Sequence, residues 1–191
     1  MWKKLALLPL TLTLFFLSGC KLGTPFRGPA FEKSSSAAAV SDQTVVVGLT
    51  HIVVGKDRNK AKAFWQQVMK VNAAMEVQPG YLGGAIRRQL LGKQGWTMSV
   101  WQDQASLDAF VDSALHQEAM RIGMPGLARS RFARVQIPLS EMPLSWARAE
   151  EILRKYGWEY DERVMRRQNG RSTSQGKHMI LQPQGAVNQN Q

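Results

Sequence analysis

The chain has 191 residues, a formal charge of +11 and one cysteine, which excludes an intrachain disulfide and any zinc or iron–sulfur site built on several thiolates. That length suits one compact core with flanking segments. The cationic excess asks for an anionic partner. No helix-turn-helix, finger spacing or aromatic RNA-binding motif accompanies it, so lipid head groups are expected and nucleic acid is not.

Lys3 and Lys4 precede an apolar run over residues 5–17, and Leu17-Ser18-Gly19-Cys20 follows at once. About thirteen apolar residues fall short of the ~20 that span a bilayer, so the run reads as a signal rather than a transmembrane helix. The tetrapeptide resembles a lipobox. That resemblance implies cleavage before Cys20, a diacylglycerol on its thiol and palmitate-type chains as the membrane anchor. Lys21 in the next position implies, on the same grounds, the outer membrane. The chain therefore divides into a signal peptide (1–19), a lipidated flexible tether (20–43), a folded domain (44–160) and a basic, Gln/Asn-rich tail (161–191).

Residues 21–42 hold Gly, Pro, Ser and Ala with few large apolar groups, the composition of a flexible linker. Residues 44–54 are dense in β-branched side chains and predict a buried strand. Asp57 is a candidate N-cap for a helix whose stripe is Phe64, Val68, Val71 and Met75, ended by Pro79-Gly80. Residues 81–91 predict a strand weakened at Gly83-Gly84, residues 92–95 a turn, and residues 96–101 the hairpin partner. Asp103 can cap a second helix with Leu107, Val111, Ala114 and Leu115 on its apolar face and Phe110 beside it. Met124-Pro125-Gly126 breaks that helix, and a strand over residues 132–139 follows. A third helix starts near Ser145, turns Ala149, Ile152, Leu153 and Tyr156 inward, and stops at Gly157. The tail, which carries His178, is too poor in apolar groups to offset its ordering entropy and is expected to be disordered.

This order predicts an α+β fold, a ferredoxin-like split βαβ sandwich with an extra C-terminal helix. A first strand apolar at nearly every position needs cover on both faces. Helices supply one cover, and the simplest second cover is the sheet of another copy, which predicts a homodimer.

Three stretches carry a family resemblance: Pro79-Gly80-Tyr81-Leu82-Gly83-Gly84, then Trp96-Thr97-Met98-Ser99-Val100-Trp101, then Ala109-Phe110-Val111 through His116 to Met120. Together they resemble the dimeric α/β-barrel superfamily that includes the antibiotic-biosynthesis monooxygenases. Ile137-Pro138, Pro143, Ala149-Glu150 and Leu153-Arg154-Lys155-Tyr156-Gly157 are similar to a branch of it with an added C-terminal helix. The likeness covers residues 44–157. Haem-degrading members carry an asparagine on strand one, and a tryptophan and a haem-ligating histidine on the second helix. Thr50 and His51, Phe110 and Met120 stand at those positions here, so haem is not expected. An enzyme of this superfamily would be a monooxygenase without metal or flavin, acting on an aromatic or enolisable substrate.

Such chemistry needs a base, an electropositive group for the oxyanion and a dry pocket. His116 is the candidate base, placed to point into a cleft between helix and sheet or to cap the core edge on a backbone carbonyl. Arg87 is the candidate oxyanion partner, its neighbour Arg88 projecting to the other face of the strand. Trp101, His51, Phe110 and Met120 are candidate ligand contacts, with His51 equally readable as a structural histidine. Trp96 and Trp101, five residues apart, must face opposite sides of the sheet. No nucleotide loop, dinucleotide fingerprint, nucleophile elbow or zinc-binding helix is present in the sequence. No cofactor and no metal is therefore expected. Two functions remain: a noncatalytic module at the envelope that binds a small apolar ligand, which is favoured, and a cofactor-independent monooxygenase.

Overall fold

The computed structural model describes residues 20–31 and 43–160. The expected signal, residues 32–42 of the expected tether, and the tail with His178 lie outside the described residues.

The domain begins earlier than composition implied. Lys21–Gly23 form a short strand, β1. Then come β2 (Thr44–Val54), α1 (Arg58–Met75), β3 (Tyr81–Gln89), β4 (Gln94–Trp101), α2 (Gln104–Asp112), α3 (Ala114–Gly123), β5 (Leu127–Pro138), α4 (Trp146–Tyr156) and β6 (Trp158–Tyr160). The sheet order is β1-β3-β4-β2-β5-β6, with every pair antiparallel. Its central strands β3-β4-β2-β5 have the order of the split βαβ unit, so the predicted ferredoxin-like α+β fold is the observed one. Each crossover, β2-α1-β3 and β4-α2-α3-β5, skips one strand and carries its helices over the same face.

Local chemistry fixes the elements. Asp57 caps α1 by accepting from the backbone N–H groups of Asn59 and Lys60 at 2.9 and 3.1 Å, and Asp103 caps α2 through Ser106 at 2.7 Å. Gly80, at φ +75°, makes the turn into β3 where any side chain would collide with Ser106. The predicted second helix is in fact two. The Ser113 hydroxyl donates to the Phe110 carbonyl at 2.6 Å and accepts from His116 N–H at 3.3 Å, so it ends α2 and starts α3. This break shifts the buried stripe to Leu107, Phe110 and Ala119, and Ala114 is left exposed.

The expected tether is corrected by β1. Lys21 and Gly23 pair with Gln89 and Arg87 on the edge of β3, and Arg27 exchanges backbone hydrogen bonds with Gly84 at 3.0 and 2.7 Å. Phe26 and Phe31 meet edge to face at 4.9 Å, and both pack against the core. Composition missed this because backbone pairing to a ready-made edge needs no apolar side chains.

The face for which a second copy was the expected cover already carries a helix of this chain. On one face, Val45, Val47, Leu49, Trp96, Met98 and Val100 pack against Ala149, Ile152 and Leu153 of α4. The chain thus covers its own sheet, and the third helix does what a partner sheet was expected to do. On the opposite face, α1, α2 and α3 lie over Val46, Ile52 and Trp101.

Candidate functional site

Between the sheet and α1–α3 lies a cavity of about 290 Å³. Its existence follows from strand alternation. On β2 the side chains turned toward the helices run through Gly48 and Thr50, paired across to Ser99 and Thr97 of β4. These four are small, whereas their neighbours Val47, Leu49, Met98 and Val100 fill the other face. The small floor leaves space that Phe64, Val68 and Val71 of α1 and Phe110 and Met120 border without filling.

His116 lines this cavity from the first turn of α3. Its ring Nδ1 lies 3.0 Å from the Val111 carbonyl. A carbonyl only accepts, so Nδ1 carries the proton, and in the neutral ring Nε2 keeps its lone pair. Both sequence alternatives for this residue are therefore realised at once. Burial lowers its pKa below the ordinary 6.5, outweighing the Val111 hydrogen bond that raises it, and the charge of Arg134 lowers it further. The Phe110 ring sits 5.0 Å from the imidazole.

Trp101 does not wall the cavity as expected. It is fully buried behind Phe110, stacked at 4.9 Å, with its indole N–H donating to Ser99 Oγ at 3.0 Å. Its role is to hold Phe110 in place.

Arg87 and His51 lie on the other face of the sheet. The Arg87 guanidinium is sandwiched between the Trp96 and Trp146 rings at 4.6 and 4.7 Å and pairs with Glu150, which Lys21 also reaches at 3.1 Å. Burial alone would raise the Glu150 pKa, but hydrogen bonds from Lys21 and Arg87 outweigh it and hold the carboxyl below its usual range. His51 stacks on Trp96 at 4.9 Å, and its Nε2 lies 2.9 Å from Gln94 Oε1. Burial depresses its pKa too, against the Gln94 hydrogen bond that raises it. The expected pairing of His116 with Arg87 is thus not formed, because the sheet separates them. Arg88 does face the helices, as alternation predicts, but it stacks over Trp65 at 4.0 Å outside the cavity.

Among the lining residues that sequence reasoning missed are one on β5 and one on β6. Arg134 of β5 borders the cavity and is neutralised by Asp108 of α2 at 2.7 Å. Trp158 of β6 also lines it, 6.1 Å from Phe132. The signal for Arg134 was its even spacing from Phe132 along a strand; Trp158 follows the last predicted helix and carried none. Among the described residues no group of three or more His, Cys, Asp or Glu side chains could hold a metal ion, and no helix is long and apolar enough to cross a membrane.

The sequence matches no family model and no curated protein. Solved structures do match. A conserved protein from Methanosarcina mazei is 14% identical over 48% of this chain and 91% of its own, with a TM-score of 0.43. SnoaB, a cofactor-independent oxygenase from Streptomyces nogalater, is 13% identical over 47% of this chain and 89% of its own, with a TM-score of 0.41. A candidate monooxygenase from Fusobacterium nucleatum is 12% identical over 64% of this chain, with a TM-score of 0.44, and the match spans about half of it, 51%. The fold assignment rests on the strand order and crossovers given above, not on these likenesses.

Proposed function

We propose that this chain is a lipid-anchored protein of the bacterial envelope whose domain holds a small, flat, largely apolar molecule without transforming it. The cavity of about 290 Å³ between sheet and helices carries the binding reading. Its size lies near the lower end for small-molecule sites, ~300 Å³, which suits a bicyclic ring system. Anchoring rests on the lipobox-like sequence ending in Cys20. The noncatalytic reading is supported by Arg134: the cation bordering the cavity is already neutralised by Asp108, so an oxyanion would find no uncompensated charge there.

A second reading, a cofactor-independent monooxygenase, is favoured by His116, whose Nε2 lone pair suits a base. A substrate carbon acid would give its proton to this nitrogen and an electron to dioxygen. One oxygen atom would end on carbon as a carbonyl and the other leave as water.

Equilibrium dialysis with 2-methyl-1,4-naphthoquinone tests the binding reading. Met120→Trp, which places a large ring in the cavity, should weaken retention by about tenfold or more. Equal retention by both proteins, or none by either, overturns the reading. Oxygen uptake with 2-tetralone, a bicyclic carbon acid whose activated CH2 would become a carbonyl, present in the wild type and lost in His116→Ala, would replace it with the second. Mass spectrometry of the protein from native membranes checks the acylated Cys20.

A further inference from the structure

We infer that the sheet end at which β1 begins is a membrane-docking face, seated directly on an anionic leaflet. The inference rests on the acylation of Cys20 proposed above and goes beyond it, because a lipid anchor alone sets no orientation. The expected tether would have let the domain tumble. Instead, the Cys20 carbonyl accepts from the Leu90 N–H at 2.9 Å, and the next residue is already paired in the sheet. The anchor point is thus built into the sheet edge, beside the β3–β4 turn.

What surrounds that point matches a lipid surface. Leu22, Leu90 and Leu91 are 69, 53 and 61% exposed, an apolar cluster where a soluble surface would place polar groups. Leu22 pairs with Arg88, so both project to the α1 side of the sheet. There Arg88 covers Trp65 in a groove that Arg58, Lys62 and Met69 also line. Lys93 extends the cationic rim, its carbonyl bonded to the Val54 N–H at 2.9 Å. Asp57, the acid at the start of α1, is engaged in capping the helix. Leucines to enter the acyl boundary, an aromatic ring and cations for the phosphates around them are the parts of an interfacial contact.

The test uses the mature acylated protein in vesicles of phosphatidylcholine and phosphatidylglycerol containing brominated acyl chains. With Cys20 lipidated, a thiol introduced by Leu91→Cys or Val77→Cys takes an environment-sensitive dye specifically. Val77 is 81% exposed and lies at the opposite end of the strands, about 25 Å away at ~3.3 Å per residue. Quenching should be about fivefold stronger at 91 than at 77, since interfacial insertion reaches ~5–10 Å. Adding Leu90→Asp and Lys93→Glu, or omitting phosphatidylglycerol, should bring 91 close to 77 while the protein still floats with the vesicles. Co-flotation with equal quenching at both positions overturns docking and leaves the anchor standing. Failure to float overturns the acylation reading and docking with it.

Discussion

The two faces of one sheet were built by the same alternation and came out differently. Toward α4, successive inward side chains are Val45, Val47 and Leu49 against Trp96, Met98 and Val100, and the layer is solid. Toward α1–α3, the same strands offer Gly48, Thr50, Thr97 and Ser99, and a cavity remains. The difference is side-chain volume at four positions, not backbone geometry. Stability should therefore reside in the first face and ligand chemistry in the second.

The sharpest way to break that contrast is Trp96→Ala. Trp96 is 5% exposed and supports both Arg87 and His51, so its removal should cost about 3–5 kcal/mol in urea denaturation. A loss below about 1 kcal/mol would show the packed face to be no stiffer than the other.

A smaller, pH-gated effect involves one histidine from each face. The folded pKa values of His51 and His116 both lie below 6.5. As pH falls through 6.5 the unfolded chain takes up protons that the folded chain refuses, so stability is present above that pH and lost below it. Melting temperature should fall between pH 7.5 and 5.5, and His116→Gln and His51→Gln should each flatten part of the fall. Glu150 adds a separate loss in more acid solution, since its depressed pKa stabilises only above its ordinary 4.5. An unchanged profile in both histidine variants would remove the burial argument for them.

The smallest effect is expected at Thr97, which borders the cavity. Thr97→Ala should change stability by no more than about 1 kcal/mol, whereas Met98→Ala, one residue on and facing α4, should cost about 2–5 kcal/mol. Equal losses from this adjacent pair would contradict the division between faces.

Much of this was legible in the residues. Period-two and helical spacings placed the central strands and helices, and Asp57, Asp103 and Ser145 marked three helix starts that the structure confirms. Alternation also put Trp96 and Trp101, and Arg87 and Arg88, on opposite sides. What it left open is which side holds empty space, because that depends on how four small residues from β2 and β4, two strands far apart in the chain, register against each other. Spacing along the chain therefore permits His116 and Arg87 to share one site, and the sheet separates them. The cover for the second face was open for a similar reason: the inward stripe of α4 is legible in the spacing, but nothing in a stripe names the surface it meets. Ser113 broke the second helix through side-chain hydrogen bonds that an apolar stripe does not register.

The short first strand has a practical consequence. A chain trimmed to start at Thr44, where composition alone would cut, loses the partner of Gln89, Arg88 and Arg87. It would present β3 as a bare border of unpaired amides, the kind of template on which strands from other molecules add. Such a product should self-associate while retaining its helices. Lys21, Leu22 and Gly23 beside Cys20 thus act as a selvedge, keeping the weave from picking up foreign threads.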